Sequence, residues 1–148
     1  MRSVAQLEVF MEAPTKQGVS PEELAQNYLQ VGEDMLIHWL LAKELVPSTG
    51  KKEGFRILAL HRQGCKGDPS FNACRETCRE LAYFYTLITM EPNSDDMVTR
   101  LSMMKMVAKH LVLFIGSKMQ VAEVGEFCCS AKVNRLDCDE LKTRIGVK

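Results

Sequence analysis

The strongest constraint on the fold is a long apolar segment, residues 94–124, in which nonpolar side chains recur at alternating spacings of four and three. The main stripe of this segment consists of Met97, Leu101, Met104, Ala108, Leu111 and Ile115. Residues three and four positions apart share one side of a helix, so the pattern predicts a single long α-helix. Because so apolar a helix is poorly suited to an exposed position, we expect other helices to pack on most of its sides. The segment therefore predicts an all-α bundle.

Further helix signals lie before and after this segment. The predicted helices span residues 4–13, 21–46, 55–63, 69–90 and 137–145. The clearest start signal is Ser20 followed by Pro21 and Glu23, since Ser caps a helix, Pro suits its first position and Glu completes a capping box. No segment alternates polar and apolar residues as a strand would. Because the connections are short, we expect one domain over residues 1–148, an antiparallel bundle of five to six helices around the long central helix.

A loop is predicted at residues 64–67, where two glycines flank Cys65. Asp68 follows this loop and precedes Pro69. An Asp cap before a proline is typical of a helix start, so these two residues are expected to begin the next helix.

The charge and composition of the chain narrow the classes of function. Hydrophobic residues make up 46% of the 148 positions, which is enough for one substantial core. Lys and Arg together number 19, as do Asp and Glu, and this balance argues against a nucleic-acid partner, which favours a basic excess. The longest apolar run, residues 111–116, is too short to span a membrane. Glu8 and Glu12 interrupt the N-terminal segment, so we expect no secretory signal there.

The chain has six cysteines, which we interpret as reduced thiols of an intracellular protein. Cys74 and Cys78 are one helical turn apart on the apolar side of their predicted helix. Cys128 and Cys129 are adjacent and are poorly placed to pair with each other. The other two are Cys65 and Cys138. We therefore expect core thiols, with a metal site as the less favoured alternative, and a cytoplasmic location.

No pattern typical of a catalytic or cofactor site occurs in the sequence. The three histidines, His38, His61 and His110, lie on different predicted helices. Neither His-x-x-x-His nor Cys-x-x-Cys is present, so neither a di-iron bundle nor a zinc ribbon is indicated. A cysteine nucleophile would need a nearby base, and no local spacing supplies one. We therefore predict a non-enzymatic protein with no catalytic residues, no metal and no cofactor.

Methionine is enriched in the long predicted helix. Five of the nine methionines lie there, and four of these form a cluster, namely Met97, Met103, Met104 and Met106. We interpret them as flexible side chains that fill an irregular core. The alternative is an adaptable surface for a partner, a role that Met-rich surfaces serve in promiscuous binding proteins.

The second predicted helix contains the most distinctive local pattern of the sequence, an apolar stripe with a small residue and an acidic pair. The residues are Leu24, Tyr28, Val31, Gly32, Glu33, Asp34 and Met35. Over these twelve positions, residues 24–35, the pattern resembles the death-motif helix of the B-cell-lymphoma apoptosis regulators. The resemblance implies a helix that enters a partner's groove, with Gly32 allowing close approach. The family's Asn-Trp-Gly-Arg helix start is absent, and an ordinary core helix is the favoured interpretation.

Gly32 has two interpretations, because a small residue permits close approach either from within the bundle or from a partner helix. The stripe around it continues the core pattern, which favours the internal approach. For the whole chain we predict an intracellular protein–protein interaction, scaffold or adaptor module that binds a partner helix or peptide in a surface groove. The alternatives are an apoptosis-regulator-like helical protein and a secreted four-helix signalling protein. The sequence leaves the partner and the oligomeric state open.

Overall fold

The computed structural model describes residues 1–122, and 75% of these residues are helical. The helices are α1 (Val4–Glu12), α2 (Pro21–Ala42), α3 (Arg56–Gly67), α4 (Arg75–Met90) and α5 (Met97–Ala122), with a 3-10 helix (Pro69–Cys74) between α3 and α4. No strand occurs among the described residues, and the predicted all-α bundle is confirmed. The predicted helix at residues 137–145 and the predicted last residues of the long helix lie outside the described residues.

Local capping explains where α2 begins and ends. The Ser20 hydroxyl accepts a hydrogen bond of 3.1 Å from the Glu23 amide, with proline at the first helical position, as predicted. The helix ends earlier than predicted, because Glu44 adopts a left-handed conformation with φ of 61°. The Leu45 amide then donates to the Leu40 carbonyl oxygen at 2.9 Å. This pattern is a Schellman motif formed without the usual glycine.

Helix α3 is longer than predicted and extends through the expected loop at residues 64–67, so that prediction is wrong. Gly64 is buried, and a Cβ atom at this position would lie 3.6 Å from the Phe71 ring. Packing against Phe71 thus compensates for the low helix propensity of glycine. Asp68 does cap a helix, as expected, but the helix is the 3-10 helix, since its carboxylate accepts from the Ser70 amide at 3.1 Å.

The helix at the centre of the bundle is α2, which packs against each of the other four α-helices. Its residues Val31, Met35, Leu36 and Leu40 have no exposed surface. Helix α5 packs on α1, α2 and α4 along one side, which contains Met104, Ala108, Leu111 and Ile115. The expectation that α5 is covered on most sides is wrong, because no helix of residues 1–122 covers its opposite side.

The helices do not all alternate in direction along the chain. Ile57, at the start of α3, lies against Gly32 in the middle of α2. The Gln63 side chain, further along α3, donates to the Val46 carbonyl oxygen beyond the end of α2. Helices α2 and α3 therefore run in the same direction, and residues 43–55 are long enough to return the chain between them. Within residues 1–122, no helix is long and apolar enough to cross a membrane.

Candidate functional site

Most residues predicted for partner binding on α2 lie inside the bundle. Tyr28, Val31, Gly32 and Met35 are buried core residues, and Asp34 is 4% exposed. Leu24 and Glu33 are half-buried. The approach to Gly32 is internal, because a Cβ atom there would lie 2.7 Å from the Ile57 side chain. The stripe that resembles a death motif thus contributes to the core of this chain.

Asp34 lines an open cleft of about 570 Å³ between the N-terminus, α2 and α3. The residues around it are Met1, Arg2, Gln6, Asn27, Gln30, Asp34, Ile37 and Arg56. The Asp34 carboxylate accepts a hydrogen bond of 2.8 Å from the Gln30 amide group. The Arg2 guanidinium lies 4.1 Å above the Phe10 ring. Polar groups of the cleft are thus engaged within the chain, which favours a structural role.

The carboxyl group of Glu33, next to Asp34 in the chain, has a shifted pKa. Burial raises the pKa of Glu33, and the nearby positive charge of Arg56 opposes this shift. In the acidic pair predicted from the sequence, Glu33 is therefore half-buried, and Asp34 is buried and already accepts a hydrogen bond from Gln30.

A cluster of thiols and one imidazole surrounds the 3-10 helix. The carbonyl oxygen of Phe71 accepts from His61 Nε2 at 2.7 Å and from the Cys74 thiol at 3.2 Å. Cys65 Sγ lies 3.4 Å from His61 Nε2 and 3.7 Å from Nδ1. Cys78 is one turn beyond Cys74 and is fully buried. The arrangement unites residues of α3, the 3-10 helix and α4, which the sequence separates.

The groups of this cluster change each other's acidity. The pKa of the Cys74 thiol is lowered to about 6, most strongly by a hydrogen bond from the Cys78 thiol, while burial opposes the shift and His61 adds to it. Donating that bond raises the pKa of Cys78, and burial raises it further. Burial acts to lower the pKa of His61, but the contacts of the ring with Cys74 and Phe71 outweigh burial and raise it. Burial and the neighbouring Cys74 raise the pKa of Cys65. The cluster therefore favours a Cys74 thiolate beside an imidazolium.

The described cysteines agree with part of the sequence-based expectation. Cys65, Cys74 and Cys78 are free thiols, and Cys74 and Cys78 are buried as predicted. The other three cysteines lie outside the described residues. Among residues 1–122, no group of three or more His, Cys, Asp or Glu side chains is arranged to hold a metal ion.

The outward side of α5 contains no Asp, Glu, Lys or Arg. The exposed residues of this side, which we call the α5 outer face, are Val98, Thr99, Ser102, Met103, Met106, His110, Leu113 and Ser117. Met106 is 67% exposed and Leu113 is 56% exposed. The interpretation of the methionine cluster as core is confirmed for Met104 and is wrong for Met103 and Met106. Exposed helix faces usually carry charges, so this composition is unusual.

The basic residues of α5 lie at the borders of this face and bind neighbouring elements. Over its 26 residues the helix has four Lys or Arg and no Asp or Glu. The partners are Glu91 for Arg100, the Ala13 carbonyl oxygen for Lys105, Glu12 for Lys109 and Asp68 for Lys118, each at 2.9 Å. All four cations are half-buried. The charged groups of α5 therefore join this helix to neighbouring parts of the bundle. The exposed residues of the outer face are apolar or neutral-polar.

The thiol–imidazole cluster was not predicted from the sequence, and an exposed methionine surface on the long helix was only the less favoured alternative. The spacing of four between His61 and Cys65 does predict that these two side chains lie on one side of a helix, which is half of the cluster. Comparison of the chain with protein-family models, with curated proteins and with solved structures finds no match. What the chain binds and what chemistry it supports are therefore inferred from the geometry of these two sites, each considered separately.

Proposed function

We propose that this chain is a non-enzymatic interaction module, a scaffold or adaptor of the cytoplasm, that binds an amphipathic helix of another protein along the α5 outer face. The observation that carries the proposal is that the exposed positions of α5 are apolar or neutral-polar, while its four Lys and Arg side chains bind neighbouring elements at the borders of that face. A face that remained in water would gain solubility from charges, whereas a face that docks on a partner would have to desolvate them.

The side chains of the outer face suit a helical partner. Met103, Met106, His110 and Leu113 follow at spacings of three, four and three, so they form one continuous seam along the helix. Methionine side chains are flexible and polarizable, and they adapt to the shape of a partner. Helices commonly dock through apolar residues spaced in this way.

The charge of α5 indicates what kind of helix would bind. Lys105 and Lys109 are four residues apart and border the outer face on one side. The Lys109 side chain is 41% exposed although it pairs with Glu12. Because Lys105 binds a neutral carbonyl oxygen and α5 has no Asp or Glu, a partner helix with acidic residues along one edge of its apolar stripe is favoured.

The other interpretations fit the geometry less well. An apoptosis-regulator-like use of α2 would require Val31 and Met35 to leave the core, where neither has any exposed surface. A secreted four-helix protein would normally use its cysteines in disulfides, whereas Cys65, Cys74 and Cys78 are free. These free thiols support the cytoplasmic part of the proposal.

A displayed library of helical peptides tests the proposal. Peptides are selected on the immobilised chain, and their affinity is measured for the wild type and for the Met106→Asp and Val46→Asp variants. Val46 is 85% exposed on the connection after α2, so the control adds the same charge away from α5. We expect acidic-edged amphipathic helices to be enriched and to lose affinity by about tenfold or more in Met106→Asp alone.

Two outcomes contradict the proposal. One is the selection of peptides that bind the wild type and Met106→Asp with equal affinity. The other is self-association, measured by sedimentation, that Met106→Asp abolishes, because the outer face would then belong to a second copy of this chain rather than to a different protein.

A further inference from the structure

The cluster of His61, Cys65, Cys74 and Cys78 takes no part in the proposed interaction, and its chemistry points to a separate role. We propose that Cys74 and Cys65 form a peroxide-sensitive pair, in which hydrogen peroxide oxidises Cys74 and Cys65 then closes a disulfide with it. Cys74 lies at the junction of the 3-10 helix and α4, and Cys65 lies near the end of α3. This would be an oxidative modification site.

We assign Cys74 as the reacting nucleophile because its thiol and the His61 imidazole lie side by side on one carbonyl oxygen. The thiol of Cys74 and Nε2 of His61 both donate to the Phe71 oxygen, at 3.2 Å and 2.7 Å. When Cys74 loses its proton, the negative charge of the thiolate is therefore balanced by the positive charge of protonated His61 close by. The lowered pKa of Cys74, about 6, agrees with a thiolate at neutral pH, the form that attacks peroxides.

Cys65 is placed as the second thiol of the pair. Its Sγ atom lies beside both ring nitrogens of His61, and the thiol donates to Asn72 Oδ1 at 3.6 Å. Cys65 is half-buried and Asn72 is exposed, whereas Cys78 is fully buried. Of the two thiols that could close a disulfide with Cys74, Cys65 is therefore the accessible one, and we assign Cys78 as the hydrogen-bond donor to the Cys74 thiolate.

The first step consumes the peroxide. The Cys74 thiolate attacks one oxygen of hydrogen peroxide, so that an S–O bond forms and the O–O bond breaks. The hydroxide that leaves takes the proton of the His61 imidazolium and becomes water. The products are a Cys74 sulfenic acid, a neutral imidazole and one water molecule.

The second step closes the disulfide. Neutral His61 takes the proton of the Cys65 thiol, and the Cys65 thiolate attacks the sulfenic sulfur of Cys74. The S–S bond forms, the S–O bond breaks, and the leaving hydroxide recovers the proton from His61 to give a second water. Overall, two thiols and one hydrogen peroxide give one disulfide and two water molecules, and the two electrons come from the thiols.

The disulfide would join the end of α3 to the start of α4 across a segment that α5 also binds. Lys118 of α5 pairs with Asp68 at 2.9 Å and also donates to the Ser70 hydroxyl. The disulfide would thus restrict the motion of the segment at which α3, α4 and α5 meet.

Peptide mapping of the full chain tests the inference. The reduced chain is treated with an equimolar amount of hydrogen peroxide, free thiols are alkylated, and mass spectrometry locates every oxidised cysteine. We expect a Cys65–Cys74 disulfide in the wild type. In Cys65→Ser, a sulfenic acid should persist at Cys74 and react with dimedone, and in Cys74→Ser, Cys65 should stay reduced.

Two further variants separate the roles of the neighbours. Cys78→Ser keeps a hydroxyl donor beside Cys74 and should form the same disulfide. His61→Gln should slow the oxidation of Cys74 by about tenfold, because the variant lacks the imidazolium that balances the thiolate and protonates the leaving hydroxide. An unchanged rate in His61→Gln would contradict the proton transfer assigned to the imidazole.

The wild-type result alone can overturn the inference, so a variant that fails to fold does not leave it untested. It is overturned if Cys74 stays reduced or if it pairs with any cysteine other than Cys65. Oxidation of Cys65 in Cys74→Ser at the wild-type rate would also overturn it, because Cys65 would then react without Cys74.

Discussion

Gly32 of α2 and Ile57 of α3 lie so close together that a Cβ atom at position 32 would be 2.7 Å from Ile57 Cδ1. The same Cβ atom would be 2.8 Å from a methyl group of Leu81 and 3.3 Å from one of Leu111. Three helices therefore meet the backbone of α2 at this position. Their packing outweighs the roughly 1 kcal/mol by which a glycine weakens a helix interior.

Replacing Gly32 by leucine should destabilise the bundle. The new side chain has no space among Ile57, Leu81 and Leu111, so we expect the free energy of unfolding to fall by about 1–3 kcal/mol. Denaturant melts measure this change. Gly116→Leu is the matched control, since a Cβ atom at this α5 position meets no atom within 4 Å. A melt of Gly32→Leu at or above the wild-type midpoint would contradict internal packing at this position.

Leu111 and Leu113 offer a test of which side of α5 faces the core. Leu111 has no exposed surface, whereas Leu113 is 56% exposed. Leu111→Ala should lower the free energy of unfolding by about 2–5 kcal/mol, through lost burial and a residual cavity. Leu113→Ala should change it by about 0.5 kcal/mol or less. Equal losses in chemical denaturation would show that the outer face is covered rather than exposed.

Glu44 should be a site of stabilising substitution. Its left-handed conformation, with φ of 61°, is unfavourable for any residue with a Cβ atom. Glu44→Gly keeps the Schellman hydrogen bonds and removes this strain, so the free energy of unfolding should rise by about 0.5–1 kcal/mol. Gln26→Gly, at an exposed position inside α2, should lower it by about 1 kcal/mol. A thermal melt in which both substitutions are equally destabilising would argue against a left-handed Glu44 at the end of α2.

The parts of the fold that the sequence predicted well depend on neighbouring residues. Ser20, Pro21 and Glu23 start α2 through contacts within one turn, and no other helix is needed to form them. The length of α3 depends instead on Phe71, a residue beyond the helix itself, so the glycine signal at position 64 was misleading.

The candidate sites were harder to predict, because each depends on how helices are placed. Helix α5 has apolar residues on more than one side, and only its contacts with α2 and α4 decide that Met104 is buried and Met103 is exposed. His61 and Cys65 share one side of α3 by spacing alone. Cys74 reaches the same imidazole only because the 3-10 helix brings it back to the Phe71 carbonyl group.

The acidity of Cys74 provides the last test. Its pKa of about 6 lies below the usual thiol value of 9.0, so the thiolate should form as the pH rises through about 6. The ultraviolet absorbance of the thiolate, taken as the difference between the wild type and Cys74→Ser, follows this titration. Cys78→Ala removes the largest cause of the shift, the hydrogen bond from the Cys78 thiol, and should move the midpoint upward. A wild-type midpoint near that of an ordinary thiol would mean that the cluster does not stabilise the thiolate, and the proposed first oxidation step at Cys74 would lose its chemical basis.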